Sequence, residues 1–311
     1  MATSFVWDEI YTYHEMGYLH PESPRRLLAI KELLDGDGVG CELSRLEARD
    51  ATFEELTLIH DENHVKRIEG TDGMDIVHLD PDTSTNRFTW KAAVKAVGGG
   101  IVCTDAVFEG KSKNSFAFLR PPGHHAEKRY AKGFCIFNNI AIAAEHLIKN
   151  RGVGRVGIID FDVHHGNGTQ NSFYARNDVF FTSTHRYPFF PGSGAAEEKG
   201  SGAGLGFTFN IPLESGADDD DFLRAYDKVF SRLDKFKPEI ILVSAGYDAH
   251  QGDPLGGMKV TDEGYEKLMT MIIDFAGSVC DGKIVMFLEG GYDLKALRNS
   301  IEKQLEVMAT A

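Results

Sequence analysis

Residues 156–169 run from an apolar segment, Val156 to Ile159, directly into Asp160, Phe161, Asp162, Val163, His164, His165, Gly166, Asn167, Gly168 and Thr169. Carboxylates and an imidazole two residues apart are donors that suit a borderline divalent cation such as zinc. If the apolar segment is a buried strand, alternation of side chains puts Asp160, Asp162 and His164 on one face. That face would lie at the C-terminal end of the strand, where open parallel α/β sheets bind ligands. The plainer alternative is a solvated loop, but polar density this high on one face is costly to bury without a task.

Three more clusters stand just past apolar runs. His124 and His125 follow Ser115–Leu119 and the sharp stop Arg120-Pro121-Pro122-Gly123. Asp248 follows Ile240–Ser244, and Tyr292 follows Ile284–Leu288 and Glu289-Gly290-Gly291. The same topology rule brings all four clusters to one edge of the sheet. Asp162, His164 and Asp248 then make a catalytic zinc site, with three protein ligands and one open position. Zinc there would polarise an amide carbonyl and acidify water. The tandem histidines can supply the base and the acid that amide hydrolysis needs. Tyr292 would donate to the developing oxyanion. His14, His60, His64, His78, His146, His185 and His250 read as surface or core histidines, and Asn167-Gly168-Thr169 as a chance glycosylation match. No G-x-S-x-G, H-E-x-x-H or P-loop is present.

These groups must be carried by strands. Candidates are Phe5–Trp7, Ser115–Leu119, Val156–Ile159, Val179–Ser183, Phe207–Ile211, Ile240–Ser244 and Ile284–Leu288. Most are separated by enough chain for a crossover helix, which predicts a mostly parallel, open α/β sheet flanked by helices. Helices are expected over Leu27–Leu34, ended by Gly36 and Gly38, over Asp61–Ile68, over Trp90–Phe108 and over Ile140–Lys149. Thr52 and Glu55 carry a capping-box signature. Gly98-Gly99-Gly100 would permit close packing of a helix, residues 70–89 would form a loop near a pocket mouth, and Asp218–Asp221 would open a helix. With no linker or repeat, residues 1–311 read as one domain.

The chain has 311 residues, 42% apolar and 26% charged, the mark of an ordinary globule. Its net charge of −14 argues against nucleic-acid binding. No apolar run approaches a membrane span and no signal peptide is evident, so no membrane partner is expected. Cys41, Cys103, Cys135 and Cys280 form no C-x-x-C pair, which suits a reducing, cytoplasmic setting.

Arg120–Ala126, Gly133–Asn139, Asp160–Gly168, Phe190–Gly194, Ala245–Asp248 and Glu289–Tyr292 stand in the order of motifs of a known family. From about His14 to Leu297 the chain resembles the zinc-dependent histone deacetylases and their bacterial relatives, with the arginase–deacetylase fold. The resemblance implies Asp162, His164 and Asp248 as zinc ligands and His125 as general base and acid. It implies His124, tied to Asp160, as electrostatic partner and Tyr292 as oxyanion donor. Phe134 and Phe190, with Gly133 and Leu255, would line a tunnel for an acyl-lysine stem. Arg26 would line an internal product channel. A structural potassium would lie near Asp160, Asp162, His164 and Ser183.

Asn167 stands where class I members carry Asp, which points to class II-like enzymes; it can still accept from His125 but lends less basicity. Leu255 stands where a polyamine-selective relative carries Glu, so acetyl-lysine is favoured over an acetylpolyamine. The expected substrate is an acyl-lysine protein or peptide, with a small acylated amine as the alternative. A non-catalytic acyl-lysine binding protein is the alternative from another class, against which Tyr292 and His125 argue. The extra acidic ligands of a dimanganese ureohydrolase are not apparent.

Overall fold

Short runs rich in Val and Ile become the fully buried centre of one sheet in the computed structural model, which describes residues 2–36 and 39–310. The strands are β1 (Thr3–Val6), β2 (Leu43–Leu46), β3 (Val77–His78), β4 (Ser84–Thr85), β5 (Ser115–Ala117), β6 (Val156–Asp160), β7 (Val179–Arg186), β8 (Thr208–Leu213), β9 (Ile240–Ala245) and β10 (Ile284–Leu288). Eight of them pair in the order β2-β1-β5-β10-β9-β6-β7-β8, and every pairing is parallel. Every residue of β5, β6, β9 and β10 is buried. Both faces are therefore covered, which is why these strands read as unbroken apolar runs rather than as alternating ones.

The helices are α1 (Arg25–Asp35), α2 (Phe53–Leu56), α3 (Glu62–Glu69), α4 (Thr89–Phe108), α5 (Asn139–Arg151), α6 (Asn167–Phe173), α7 (Asp219–Phe236), α8 (Asp262–Cys280) and α9 (Leu294–Thr310). The capping box forms: Thr52 accepts from the Glu55 amide while Glu55 accepts from the Thr52 amide. Asp218 caps α7, with three acids in its first turn favoured by the helix dipole. In α4, a Cβ on Gly98 would come within 2.0 Å of the Arg49 carbonyl oxygen, so glycine lets the helix touch the chain ahead of α2.

Several expectations shift. The first strand starts at Thr3 rather than Phe5, and that at 115 ends at Ala117. α1 begins at Arg25 and stops at Gly36, while Gly38 lies outside the described residues. The polar edge strand β2, the 3-10 helix Glu9–Tyr13 and the β3–β4 hairpin inside 70–89 have no apolar signature and went unread.

The larger correction concerns 160–164. The strand ends at Asp160, so Asp162 and His164 do not share a face by strand alternation. Each acid accepts the amide two residues on, Asp162 N–H to Asp160 Oδ1 at 3.1 Å and His164 N–H to Asp162 Oδ1 at 2.9 Å. Those local bonds compete with the ladder and coil the chain.

The loop before α1 is anchored by a buried ion cluster. Glu22 accepts from Arg120, whose Nη2 lies 2.8 Å from Glu22 Oε2, and from Arg26 Nη1 at 3.1 Å. Burial opposes its charge, but the two guanidiniums hold the Glu22 carboxyl down at about 2. Glu22→Gln leaves two buried cations short of a partner and is expected to cost about 3–5 kcal/mol in urea unfolding. The sign follows from linkage: a depressed carboxylate stabilises above its unfolded value of about 4.5 and loses that contribution as pH falls toward about 2. The wild type should therefore weaken across that window more steeply than Glu22→Gln.

Candidate active site

Strands β5, β10, β9 and β6 are neighbours, and the segments leaving their C-terminal ends carry the predicted groups. His164 Nδ1 lies 3.1 Å from Asp162 Oδ1 and 3.1 Å from Asp248 Oδ2. One ligand atom from each of these buried residues lies within 4.8 Å of the others, the one such metal-capable group among the described residues. The outer oxygens are held by backbone: Asp162 Oδ2 accepts from Gly290 N–H at 2.8 Å, and Asp248 Oδ1 from Val163 N–H at 2.8 Å. A Cβ on Gly290 would fall 2.3 Å from Asp248 Oδ2 and 2.6 Å from Asp162 Oδ2, so only glycine lets the backbone approach both acids. His165 turns away and bonds Ser193 and Gln170.

The tandem histidines differ sharply in environment. His124 Nδ1 lies 3.0 Å from Asp160 Oδ2. Burial lowers its proton affinity, but Asp160, Asp162 and Glu289 outweigh that and raise it to about 10, so it is cationic. His125 is held well below its ordinary value, first by burial and then by the charge of His124. Its Nδ1 lies 2.8 Å from Asn167 Oδ1, while Asn167 Nδ2 donates to Glu127 Oε1 at 2.7 Å. With the amide so oriented, His125 carries its proton on Nδ1 and leaves Nε2 free as a base. Two titratable groups pushed apart in this way are the pattern of an acid/base pair.

A cavity opens above them, lined by His124, His125, His164, Gly133, Phe134, Phe190, Leu255 and Tyr292 among others. Phe190 meets His125 edge-on at 5.2 Å between centroids, and Phe134 meets Tyr292 at 6.0 Å. Arg26 is buried with its guanidinium carbon 5.2 Å from the Tyr292 ring centroid, outside the cavity lining. Ser183 also lies outside it; its hydroxyl lies 2.9 Å from His185 Nδ1, and Ser183 pairs in register with Asp160.

Some contributors went unread. Glu289 accepts from the Gly123 and His124 amides at 2.7 and 3.1 Å and so fixes the histidine loop; burial raises its carboxyl to about 7. Asp82, from the turn of the β3–β4 hairpin, lines the cavity. Phe189 stacks on His164 at 5.1 Å, and Arg186 covers Phe189 at 4.1 Å. The available signal was an acid directly after an apolar strand for Glu289; for Arg186 there was none.

Residues 20–308 match the histone deacetylase domain. The chain belongs to the histone deacetylase family. It is 38% identical to a probable deacetylase of Archaeoglobus fulgidus over 95% of this chain and 82% of that one. It is 39% identical to histone deacetylase 15 of Arabidopsis thaliana, covering 93% of this chain but 52% of the plant protein. A crystal structure of the HDA15 HD domain superposes with a TM-score of 0.94 at 36% identity, over 99% of this chain and 88% of that one. The fold is that of the deacetylase domain, and the activity class is the family's, hydrolysis of acetylated lysine.

Proposed function

We propose that this deacetylase domain is a zinc-dependent amidohydrolase acting on acyl-lysine side chains of proteins or peptides. The observation that carries the reading is the Asp162–His164–Asp248 group at the foot of an aromatic-walled cavity, beside a histidine kept neutral. Two carboxylates and one imidazole fit a catalytic zinc, with His164 presenting Nδ1 toward both acids. When bound, zinc would polarise the acyl carbonyl and make water more acidic.

The protein's own groups account for the rest. Phe134 and Phe190 would hold the apolar lysine stem by burial. His125 Nε2 takes the proton of the attacking water as it adds to the acyl carbon. His124, cationic beside Asp160, keeps His125 from protonating early and later favours release of that proton. The proton passes to the lysine nitrogen as the C–N bond breaks, and the second proton of the water, left on the acid, moves to the released amine, giving the ammonium and the carboxylate. Tyr292 would donate its hydroxyl to the oxyanion, and Arg26 lies behind it on the proposed product side. A structural potassium belongs to the same reading: Asp160 and Ser183 are register partners on β6 and β7, and with the turn residues Asp162 and His164 they offer backbone oxygens. Melting temperature with and without potassium tests it. The free cysteines suit a cytoplasmic location.

Turnover of a fluorogenic acetyl-lysine peptide by zinc-loaded protein, abolished by chelation, is the expected result; binding without turnover would leave a reader module instead. Acetylputrescine should be the poorer substrate, because Leu255 at the cavity edge offers no anion to a distant ammonium. Leu255→Glu is expected to improve kcat/KM for acetylputrescine relative to the peptide by about two- to fivefold, the effect of one added charge pair near a surface.

A further inference from the structure

Tyr292 stands on a segment with little rigidity of its own. Gly290 and Gly291 precede it, and Gly291 has φ of +116°. Gly290 is pinned by Asp162 and by the Tyr247 amide, but Gly291 brings no side chain to restrain the step to Tyr292. A buried arginine and a half-buried aspartate nevertheless grip it. On the carbonyl side, Arg26 Nε donates to Gly291 O at 2.7 Å and Nη2 to Glu289 O at 2.5 Å. On the amide side, Asp253 Oδ2 accepts from Tyr292 N–H at 2.7 Å and Asp293 N–H at 3.3 Å.

The other oxygen of Asp253 is also engaged. Oδ1 accepts from the amides of Leu255 at 2.8 Å and Gly256 at 3.2 Å. One carboxylate therefore joins two segments that leave different strands, the one after β9 that carries Asp248 and Leu255 and the one after β10 that carries Tyr292. Asp253 does not line the cavity, so its influence on the reaction has to pass through these backbones.

We propose that Asp253 is the positioning residue for Tyr292, stapling the phenol's segment to the loop that follows the metal ligand Asp248. The staple fixes the distance between the oxyanion donor, the metal group and the cavity rim. This rests on the reading of Tyr292 as oxyanion donor. A misplacement of about 1 Å in a preorganised site is enough to cost about 10²-fold in rate.

The test uses zinc-loaded protein with Asp253→Asn, which keeps the shape but leaves one acceptor oxygen, and Asp253→Ala, which leaves none. The expected fall in kcat is about tenfold for Asn and about 10²-fold for Ala, with KM within about threefold. In a Tyr292→Phe background neither change should lower kcat by more than about twofold further, because both act on one interaction. Hydrogen exchange at the Tyr292 and Asp293 amides should speed up about tenfold or more in Asp253→Ala, while β9 and β10 stay protected. A full second loss in the Tyr292→Phe background, or unchanged exchange at those two amides, overturns the proposal. Wild-type turnover in Tyr292→Phe alone would instead remove the oxyanion reading, with the exchange measurement still deciding whether Asp253 holds the segment.

Discussion

His125→Ala is expected to lower kcat on an acetyl-lysine peptide by about 10²–10⁴-fold, the range for a positioned general acid–base group, with zinc content unchanged. The magnitude follows from how much of the environment is arranged around that one ring. Asn167 Oδ1 accepts from His125 Nδ1–H at 2.8 Å, and Glu127 fixes the amide that presents this oxygen. Burial and the neighbouring His124 charge keep the ring neutral, so the free nitrogen is available as a base through neutral pH. Alanine removes a group so prepared, while the carboxylates proposed to hold the metal keep their own backbone donors. Steady-state kinetics beside metal analysis check it. Turnover near the wild-type rate at normal zinc content would transfer the base role elsewhere.

Much of this site was legible in the sequence because strand-end chemistry is local. An apolar run followed by acids, histidines and glycine gave β6, β9 and β10 and placed Asp162, His164, Asp248 and Tyr292 at one sheet edge, as observed. The alternation argument for Asp160, Asp162 and His164 failed because short acid-to-amide bonds end the strand at Asp160. The three groups converge through a turn, and the spacing of two residues has the same outcome by a different backbone. Glu22, Arg120, Asp253 and Glu289 were not assigned their roles for another reason. Each works through partners far away in the chain: Glu22 meets Arg120 across 98 positions and Asp253 meets the Tyr292 amide across 39. A single sequence carries no pattern that pairs such positions. The edge strand β2 was missed because it has little to bury, with both central residues exposed.

Asp248→Asn is expected to abolish zinc uptake and activity together while leaving the metal-free protein as stable as the wild type or more so. Three ionisable side chains meet here with backbone amides as their other partners. Burial first, and then the Asp162 charge, push the Asp248 carboxyl up to about 7. A group whose folded value is raised contributes stability that is complete at low pH and fades as pH rises through the folded value. The metal-free wild type should therefore lose stability as pH climbs from about 3.8 to about 7, and zinc, by replacing that proton with a cation, should restore it. Asparagine has nearly the same shape and can still accept from the Val163 amide, but it carries no charge to repel Asp162. Melting curves with and without zinc separate the cases: a zinc-induced rise in Tm that grows with pH in the wild type, and no rise at any pH in Asp248→Asn. A structural carboxylate with no metal role would give the opposite record, a variant that melts lower and a wild type indifferent to zinc.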